Sequence, residues 1–266
     1  MSNHPTTCLR SARHQRGFTL VELMVTVGIA LFLLGGLVTI VQNVRQTSLT
    51  QQALAQLQDE QRFAMTVITD AIQSAGYFAD PIANTNAALP AAANPAPTAA
   101  FQAGWVFAGS HTVGALDNAA LDSIATRFQT APDHGPILCN GTDTAAVGQP
   151  TTTHSIQFSI AVSAAGSQLM CSVDGALPAV PLVTGVQAMA IYYGVKRDTA
   201  FADYNVDTYV TWDQMSTLSG ANDYVNVSAV RVVLTFVNPL AGQQNQPQTI
   251  TMERVIEVMA RAGLHT

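Results

Sequence analysis

An uncharged apolar segment near the start of the chain restricts what the chain can fold into. No charged residue occurs from Leu23 to Val44, a stretch of 22 residues, and about 20 apolar residues are needed to cross the hydrocarbon core of a bilayer. The segment is longer than the apolar region of a secretory signal peptide, about 7–15 residues, and no A-x-A-like cleavage site follows it. We therefore expect residues 18–45 to form a membrane-spanning helix that stays in the mature protein.

The sequence after this segment predicts that the helix continues. No proline occurs between Thr6 and Asp80, and residues 46–78 follow an amphipathic helical pattern. The apolar positions of that pattern are Leu49, Ala53, Leu57, Ala64, Ile68, Ala71 and Ala75. One continuous helix is expected from about Thr19 to Ser74, ended by Gly76. Such a helix is about 80 Å long, so its first half is expected in lipid and its second half against a globular domain.

The remainder of the chain divides into an irregular region and a sheet domain. Residues 79–152 are rich in Ala, Asn, Gly and Pro, which favours loops, with one short helix expected near Asn118 to Phe128. Residues 153–266 contain segments that alternate polar and apolar positions, which predicts strands. These segments are residues 155–162, 168–173, 186–195, 208–212, 228–237 and 248–260. The pattern predicts an α+β fold, in which the long N-terminal helix packs on a mostly antiparallel β-sheet.

The charge distribution predicts an orientation in the membrane and excludes several functions. The net charge is −6, yet residues 1–17 carry Arg10, Arg13 and Arg16 and no acidic residue. A basic segment directly before an apolar helix predicts that this end is cytoplasmic. The acidic remainder is a poor match for nucleic acid, whose binding relies on phosphate neutralisation. No G-x-S-x-G, Walker or H-E-x-x-H motif is present, so neither an enzyme nor a cofactor is expected.

Two of the three cysteines are candidates for a disulfide. Cys139 and Cys171 lie far from the leader and follow no C-x-x-C spacing. If the C-terminal part of the chain is exported, an oxidising compartment would allow them to pair. The alternative is a pair of buried free thiols.

A weak metal candidate lies in the sheet domain. Asp203, Asn205 and Asp207 have a D-x-N-x-D spacing that could direct oxygen atoms at a hard cation such as calcium. Thr208 and Gln214 stand where an EF-hand loop requires glycine and glutamate, so a turn stabilised by aspartate side chains is the favoured interpretation. The histidines His111, His134 and His154 follow no metal-ligand spacing and are expected on loops or the surface.

The start of the apolar segment resembles a known processing signal. The stretch QRGFTLVELMV (Gln15–Val25) joins a basic leader to G-F-T-L-x-E-L and a long apolar run. It resembles the cleavage and assembly signature of the type IV pilin-like proteins. The resemblance implies that a prepilin peptidase removes residues 1–17 by cutting between Gly17 and Phe18, and that the new N-terminus at Phe18 is methylated. It also implies a role in assembly for Glu22.

Glu22 is unusual because it opens a segment that otherwise suits lipid. A charged carboxylate at the centre of a membrane helix costs about 2.5–3.5 kcal/mol on insertion scales. Cleavage after Gly17 would create an amine at Phe18, four residues before Glu22 and on the same helix face. The resemblance implies a second partner, the N-terminal amine of a neighbouring subunit. The alternative is that Glu22 only extends to the membrane surface.

Four further segments resemble the PilW-type minor pilins of type IV pili. They are residues 50–78, 182–195, 227–237 and 253–264. The resemblance implies a minor pilin that primes pilus assembly and is located at the pilus tip. Many major pilins carry a proline in the membrane helix. This chain offers only Gly28, Gly35 and Gly36 as weak points there, and these glycines could equally serve close helix packing.

The PilW resemblance also implies a location and a set of partners. The subunit is expected to cross the inner membrane once, with its C-terminal domain in the periplasm, before it enters the pilus. Its expected partners are other minor pilins and pilus subunits, the prepilin peptidase and an inner-membrane assembly platform. Two alternatives remain. One is a minor pseudopilin of a type II secretion system, and the other is a tip adhesin that binds through residues 101–150.

Overall fold

The computed structural model describes most of the chain after its basic leader. The described residues are 17–80, 85–94, 98–114, 120–132, 134–144, 151–164, 166–197, 206–217, 224 and 226–261. The chain divides into two compact units, residues 1–53 and residues 54–266. Each unit is described by itself below.

A single helix, α1 (Leu20–Ser74), runs for 55 residues. It begins one residue after the predicted start and ends at the predicted residue. Past its end, Gly76 has φ of +79°, a left-handed conformation that glycine adopts without a steric penalty. The amide of Gly76 donates to Arg127 O at 2.9 Å, so the end of the helix is fixed to a strand.

Within the described residues, nine strands and two short helices follow α1. The strands are β1 (Phe107–Ser110), β2 (Ser123–Gln129), β3 (Thr153–Ser163), β4 (Gly166–Val173), β5 (Val180–Thr184), β6 (Val186–Val195), β7 (Thr208–Val210), β8 (Ala229–Val237) and β9 (Thr249–Glu257). The helices are α2 (Thr85–Ala88) and α3 (Trp212–Thr217), and a 3₁₀ turn covers Met259–Arg261. The α+β class with a long apolar N-terminal helix and antiparallel strands is therefore confirmed.

The strands form two sheets where the sequence predicted one. The first has the order β1-β2-β3-β4-β5 and the second β7-β6-β8-β9, and all neighbouring strands in both sheets are antiparallel. Residues 120–122 link the two sheets, because Leu121 forms a parallel bridge with Met189 of β6. Strand periodicity reports which face of a strand is buried and not which strand lies beside it, so the division into two sheets was not predictable from the pattern.

The region 101–150 contains two strands, so the expectation of an irregular region without strands was wrong there. The helix predicted near Asn118 to Phe128 was also wrong, because β2 occupies Ser123–Gln129. Six of the seven residues of β2 are buried, so both faces of the strand are covered and no polar–apolar alternation marks it. Asn118 itself lies outside the described residues.

Two further differences concern strand ends. The predicted strand 208–212 stops at Val210, and Trp212 begins α3. Strand β5 was not predicted, since it is short, contains Pro181 and lies at the edge of its sheet. Proline is confined to such edges because it cannot donate to the ladder.

The core of the second unit lies between the C-terminal part of α1 and the two sheets. The helix residues Leu57, Ala64, Met65, Ile68, Ala71 and Ile72 are buried, and they join one cluster with apolar residues of both sheets. In β8, the side chains of Val230, Val232, Leu234 and Phe236 are fully buried. The predicted apolar stripe is thus buried from Leu57 onward, whereas Leu49 is exposed.

Candidate functional site

The N-terminal end of α1 is built by a capping threonine. Residues 17–19 are not helical, and the helix begins at Leu20. The Glu22 amide donates to Thr19 Oγ1 at 3.3 Å, and the Leu23 amide donates to Thr19 O at 3.2 Å. Thr19 is therefore the N-cap and Glu22 the third helical residue, an arrangement that satisfies one of the orphan amides of the first turn.

The peptide bond between Gly17 and Phe18 lies just outside this cap. Phe18 is 79% exposed, and a Cβ atom added at Gly17 would meet no atom within 4 Å. The packing of the described chain gives no reason for glycine at position 17. A requirement for glycine there would have to come from another molecule that approaches closely.

The first half of α1 presents a mostly apolar surface. Among the described residues, α1 is the helix long and apolar enough to cross a membrane, and its most apolar window of 18 residues has a mean hydropathy of 2.5 and none of it is buried. Hydroxyl groups in this half are satisfied inside the helix, since Thr26 Oγ1 donates to Leu23 O at 2.9 Å and Thr39 Oγ1 donates to Gly35 O at 3.0 Å. Internal satisfaction of polar groups is what a bilayer core demands.

The three helix glycines leave this surface open to neighbours. A Cβ atom added at Gly28, Gly35 or Gly36 would meet nothing within 4 Å beyond the local helix backbone. The helix continues through all three positions without interruption. In membranes, such small residues allow helices to approach one another closely.

The three histidines do not gather into a metal site. His111 Nδ1 lies 2.8 Å from Asp122 Oδ1, and His154 Nδ1 lies 2.8 Å from Asp174 Oδ2. No group of three or more metal-ligating side chains occurs within the described ranges.

The D-x-N-x-D candidate lies mostly outside the described residues, because Asp203 and Asn205 are not among them. The carboxylate of Asp207 accepts a hydrogen bond of 2.9 Å from the Arg197 amide. The two residues lie ten positions apart in sequence, so this contact is not the local aspartate bond of a turn. The metal interpretation stays a prediction.

A buried aspartate that the sequence did not single out joins the two sheets. Asp122 Oδ2 accepts a hydrogen bond of 2.8 Å from the Ile191 amide of β6, and Oδ1 accepts one of 3.3 Å from the Thr112 amide. Burial raises the pKa of Asp122 above its usual range, partly offset by these amides and by His111. Burial of the Tyr193 hydroxyl, together with the nearby Asp122 charge, raises the pKa of Tyr193 well above its usual range. Asp122 therefore links the two sheets through a buried hydrogen bond to β6.

A buried arginine holds the loop that precedes β1. Arg127 of β2 is 1% exposed. Its guanidinium group donates through Nε, Nη1 and Nη2 to four backbone carbonyls, those of Leu89, Pro90, Gln102 and Trp105. It also lies 4.6 Å from the centre of the Phe101 ring. Burial lowers the pKa of Arg127 to about 10. Carbonyl oxygens thus take the place of water around a cation at the centre of the fold.

The predicted disulfide is present. Cys139 and Cys171 are bonded, with a Cα–Cα distance of 6.4 Å and a sequence separation of 32 residues. The bond fixes the loop of residues 134–144 to β4. Beside this loop lies an open groove of about 300 Å³, lined by α1 residues such as Phe63 and Val67 and by loop residues such as Ile137.

Comparisons with known proteins match two parts of the chain. Residues 157–260 match the family described as Type IV Pilus-assembly protein W, and residues 12–38 match the prokaryotic N-terminal methylation motif. A comparison with curated proteins gives no match. Among solved structures, a type IV-like pilin from Thermus thermophilus is similar at 11% identity and a TM-score of 0.39. That similarity covers 77% of this chain and 96% of the other.

The methylation motif leads into the long apolar helix, so the N-terminal part of the chain is similar to that of type IV pilin-like proteins. The C-terminal match shows that residues 157–260 are similar to the PilW family of pilus-assembly proteins. The resemblance drawn from the sequence is thereby confirmed.

Replacement of Arg127 by lysine should destabilise the second unit. One ammonium group cannot reach four carbonyls, and each buried polar group left without a partner costs about 1–3 kcal/mol. We expect Arg127→Lys to lower the unfolding midpoint of the full-length chain in detergent, followed by tryptophan fluorescence from Trp105 and Trp212. Arg231→Lys, at an exposed ion pair with Glu253, is the matched control and should leave the midpoint nearly unchanged. Equal midpoints for the two variants would contradict the role assigned to Arg127.

Proposed function

We propose that this minor pilin primes the assembly of a type IV pilus and is located at the pilus tip. The observation that carries the proposal is the joining of an N-methylation motif and a membrane-length helix to a PilW-type domain in one chain. The membrane-length half of α1 suits storage in the bilayer before assembly. The disulfide-linked second unit suits an oxidising compartment.

The precursor is processed at the start of α1. A prepilin peptidase removes residues 1–17 by cutting between Gly17 and Phe18, and Phe18 is then methylated. Two features support this step. The bond lies in an exposed, non-helical segment, and the space around Gly17 leaves room for an enzyme to approach the backbone.

The subunit crosses the inner membrane once through residues 18–45, with its leader in the cytoplasm and its C-terminal domain in the periplasm. Arg10, Arg13 and Arg16 precede the apolar helix without any acidic residue, which supports this orientation. The partners in this compartment are other minor pilins and an inner-membrane assembly platform.

Glu22 directs assembly through its charge. Once cleavage has produced the amine of Phe18, a neighbouring subunit can offer the same amine to Glu22. A buried charge is strongly unfavourable alone and tolerable when it is paired. A subunit that leaves the membrane in the correct position would therefore gain the ion pair, and a misplaced one would not.

The processing step is tested at Gly17. Gly17→Leu should leave residues 1–17 attached. The leucine side chain would keep the peptidase from reaching the backbone between residues 17 and 18. Intact mass measurement of the membrane-extracted protein gives the answer directly. Gly36→Ala, a glycine change inside α1 where the added atom also meets open space, should be trimmed normally. A correctly trimmed Gly17→Leu protein would reject the cleavage site.

The role of Glu22 is tested by Glu22→Gln. Glutamine keeps the size of the side chain and is also accepted at the third position of a capped helix, so only the charge is removed. We expect normal cleavage and a decrease of about tenfold or more in the amount found in sheared filaments, equivalent to about 1.4 kcal/mol. Asp70→Asn, an exposed acid further along α1, is the control and should assemble normally. Normal recovery of Glu22→Gln in filaments would show that charge pairing is not used.

Priming and tip location are tested with the gene removed and restored. Loss of the chain should reduce the number of filaments per cell, since a primer acts at initiation and not during growth. An antibody against the second unit should label one end of each filament. Labelling along the whole shaft, or unchanged filament numbers, would contradict the proposed role.

A further inference from the structure

The disulfide-linked loop carries the single Asn-Gly pair of the sequence, Asn140–Gly141. An asparagine followed by glycine can modify itself, because the glycine amide nitrogen can attack the side-chain carbonyl of the asparagine and close a cyclic imide. Glycine leaves this attack unhindered, since it has no side chain. Both residues are exposed, and a Cβ atom added at Gly141 would meet nothing within 4 Å. Water can therefore reach the pair.

The pair lies at the tip of a tight hairpin. Ile137 and Asp143 form an antiparallel bridge, and the Leu138 amide donates to Thr142 O at 2.9 Å. The Gly141 amide donates to Leu138 O at 2.8 Å, which is the bond that closes a β-turn. Gly141 has φ of +84°, the left-handed conformation that follows a type I turn in short hairpins.

This turn keeps the reacting atoms apart from the arrangement that ring closure needs. The N–H of Gly141 is engaged by Leu138 O, and Asn140 Oδ1 accepts a hydrogen bond of 3.0 Å from the Thr142 amide. To bring Gly141 N onto Cγ of Asn140, the backbone of Asn140 must rotate out of its turn conformation. That rotation breaks the bond to Leu138 O, so the closed hairpin protects Asn140.

The disulfide attaches the hairpin to the first sheet at the residue next to Asn140. Cys139 is bonded to Cys171 of β4, and the side chain of Leu138 is buried beside it. A two-stranded hairpin by itself is marginally stable in water, and a cross-link removes open conformations from the chain. The disulfide therefore holds the turn closed.

An external thiol can reach this disulfide from one side. Cys139 is half-buried and lines the open groove beside α1, whereas Cys171 is fully buried. Attack by a thiolate on the sulfur of Cys139 forms a mixed disulfide there and releases Cys171 as a thiolate, which takes up a proton. A second thiol then frees the Cys139 thiol and leaves in the oxidised, disulfide form of the reagent.

We propose that Asn140 is a self-modification site controlled by the Cys139–Cys171 disulfide, unreactive in the oxidised chain and reactive in the reduced one. Once the hairpin opens, Gly141 N bonds to Cγ of Asn140 and the C–N bond of the side-chain amide breaks. Ammonia leaves with the hydrogen that Gly141 N gives up. One water molecule then opens the ring at either carbonyl, which gives aspartate or isoaspartate at position 140.

The product differs from Asn140 in charge and in backbone length. A carboxylate at this position adds a negative charge beside a groove that Asp70 and Gly141 line. Isoaspartate also inserts an extra backbone atom, so the turn bond from Gly141 to Leu138 cannot form again in the same register. Reduction of the disulfide is reversible, and this conversion is not. The site would therefore mark chains that have spent time without their disulfide.

The test follows the conversion of residue 140 in the full-length chain in detergent at neutral pH, by peptide mapping and mass spectrometry. Wild-type chain kept reduced with dithiothreitol, and oxidant-independent Cys171→Ala, should convert at least about tenfold faster than the oxidised wild type, because the rate follows the population of the open hairpin. Asn140→Gln should show no conversion. Asn245, which is exposed and followed by Gln246, is the internal control and should stay unmodified.

Two further measurements separate opening of the hairpin from unfolding of the whole unit. Amide hydrogen exchange should become faster in residues 137–143 of the reduced chain and stay slow in β8. Thr144 Oγ1 donates to Pro136 O at 2.7 Å and closes the base of the hairpin. With the disulfide intact, Thr144→Val should speed conversion because it lacks this bond, whereas Thr144→Ser keeps the hydroxyl and should match the wild type.

Equal conversion in the oxidised and reduced chains would overturn the proposal. Equal conversion in the two Thr144 variants would also overturn it, because the turn would then not be what restrains Asn140. If conversion at Asn140 and Asn245 rose together on reduction, general unfolding would account for both, and control by the hairpin would be rejected.

Discussion

The backbone of an apolar segment in lipid has no water to bond with, and this constraint determines the N-terminal half of α1. Every amide and carbonyl must be satisfied inside the segment, which a helix achieves and a loop does not. For the same reason, the hydroxyls of Thr26 and Thr39 donate hydrogen bonds to carbonyls of the preceding helix turn. Only the first turn of a helix retains unpaired amides. Thr19 satisfies one of them, so the helix begins at Leu20, three residues after Gly17.

In the second unit, two buried polar side chains fix the positions of neighbouring elements, which apolar packing alone does not do. Apolar contacts are non-directional and tolerate small shifts of one layer on another. Asp122 binds a specific amide of β6, and Arg127 binds four specific carbonyls of the preceding loop. Both side chains are costly to bury and would be more costly to leave unpaired. The relative placement of the sheets, and of residues 89–90 and 102–105, is therefore specified by directional bonds.

The sequence predicted those elements whose pattern is local. The bounds of α1 followed from the absence of proline and from Gly76, while β3, β6 and β8 followed from the strand pattern of their sequences. Strand β2 was missed because both of its faces are buried. Arg127 and Asp122 were missed because their partners lie up to 69 residues away in sequence. An arginine inside the strand SIATRFQ was a signal of unusual burial, but its carbonyl partners could not be named without the fold. Gly17, Phe18 and Glu22 came from a motif, so their roles remain chemical hypotheses.

A filament subunit has to recognise both its partner and its position relative to that partner. Packing between apolar helices provides association, but a slide by one turn exchanges similar side chains and changes the packing energy little. A single charge in an apolar surface discriminates between such positions, because only one of them supplies its counter-charge. Glu22 would thus specify the axial position of the subunit. The apolar surface of α1 would supply the general attraction on which that choice of position depends.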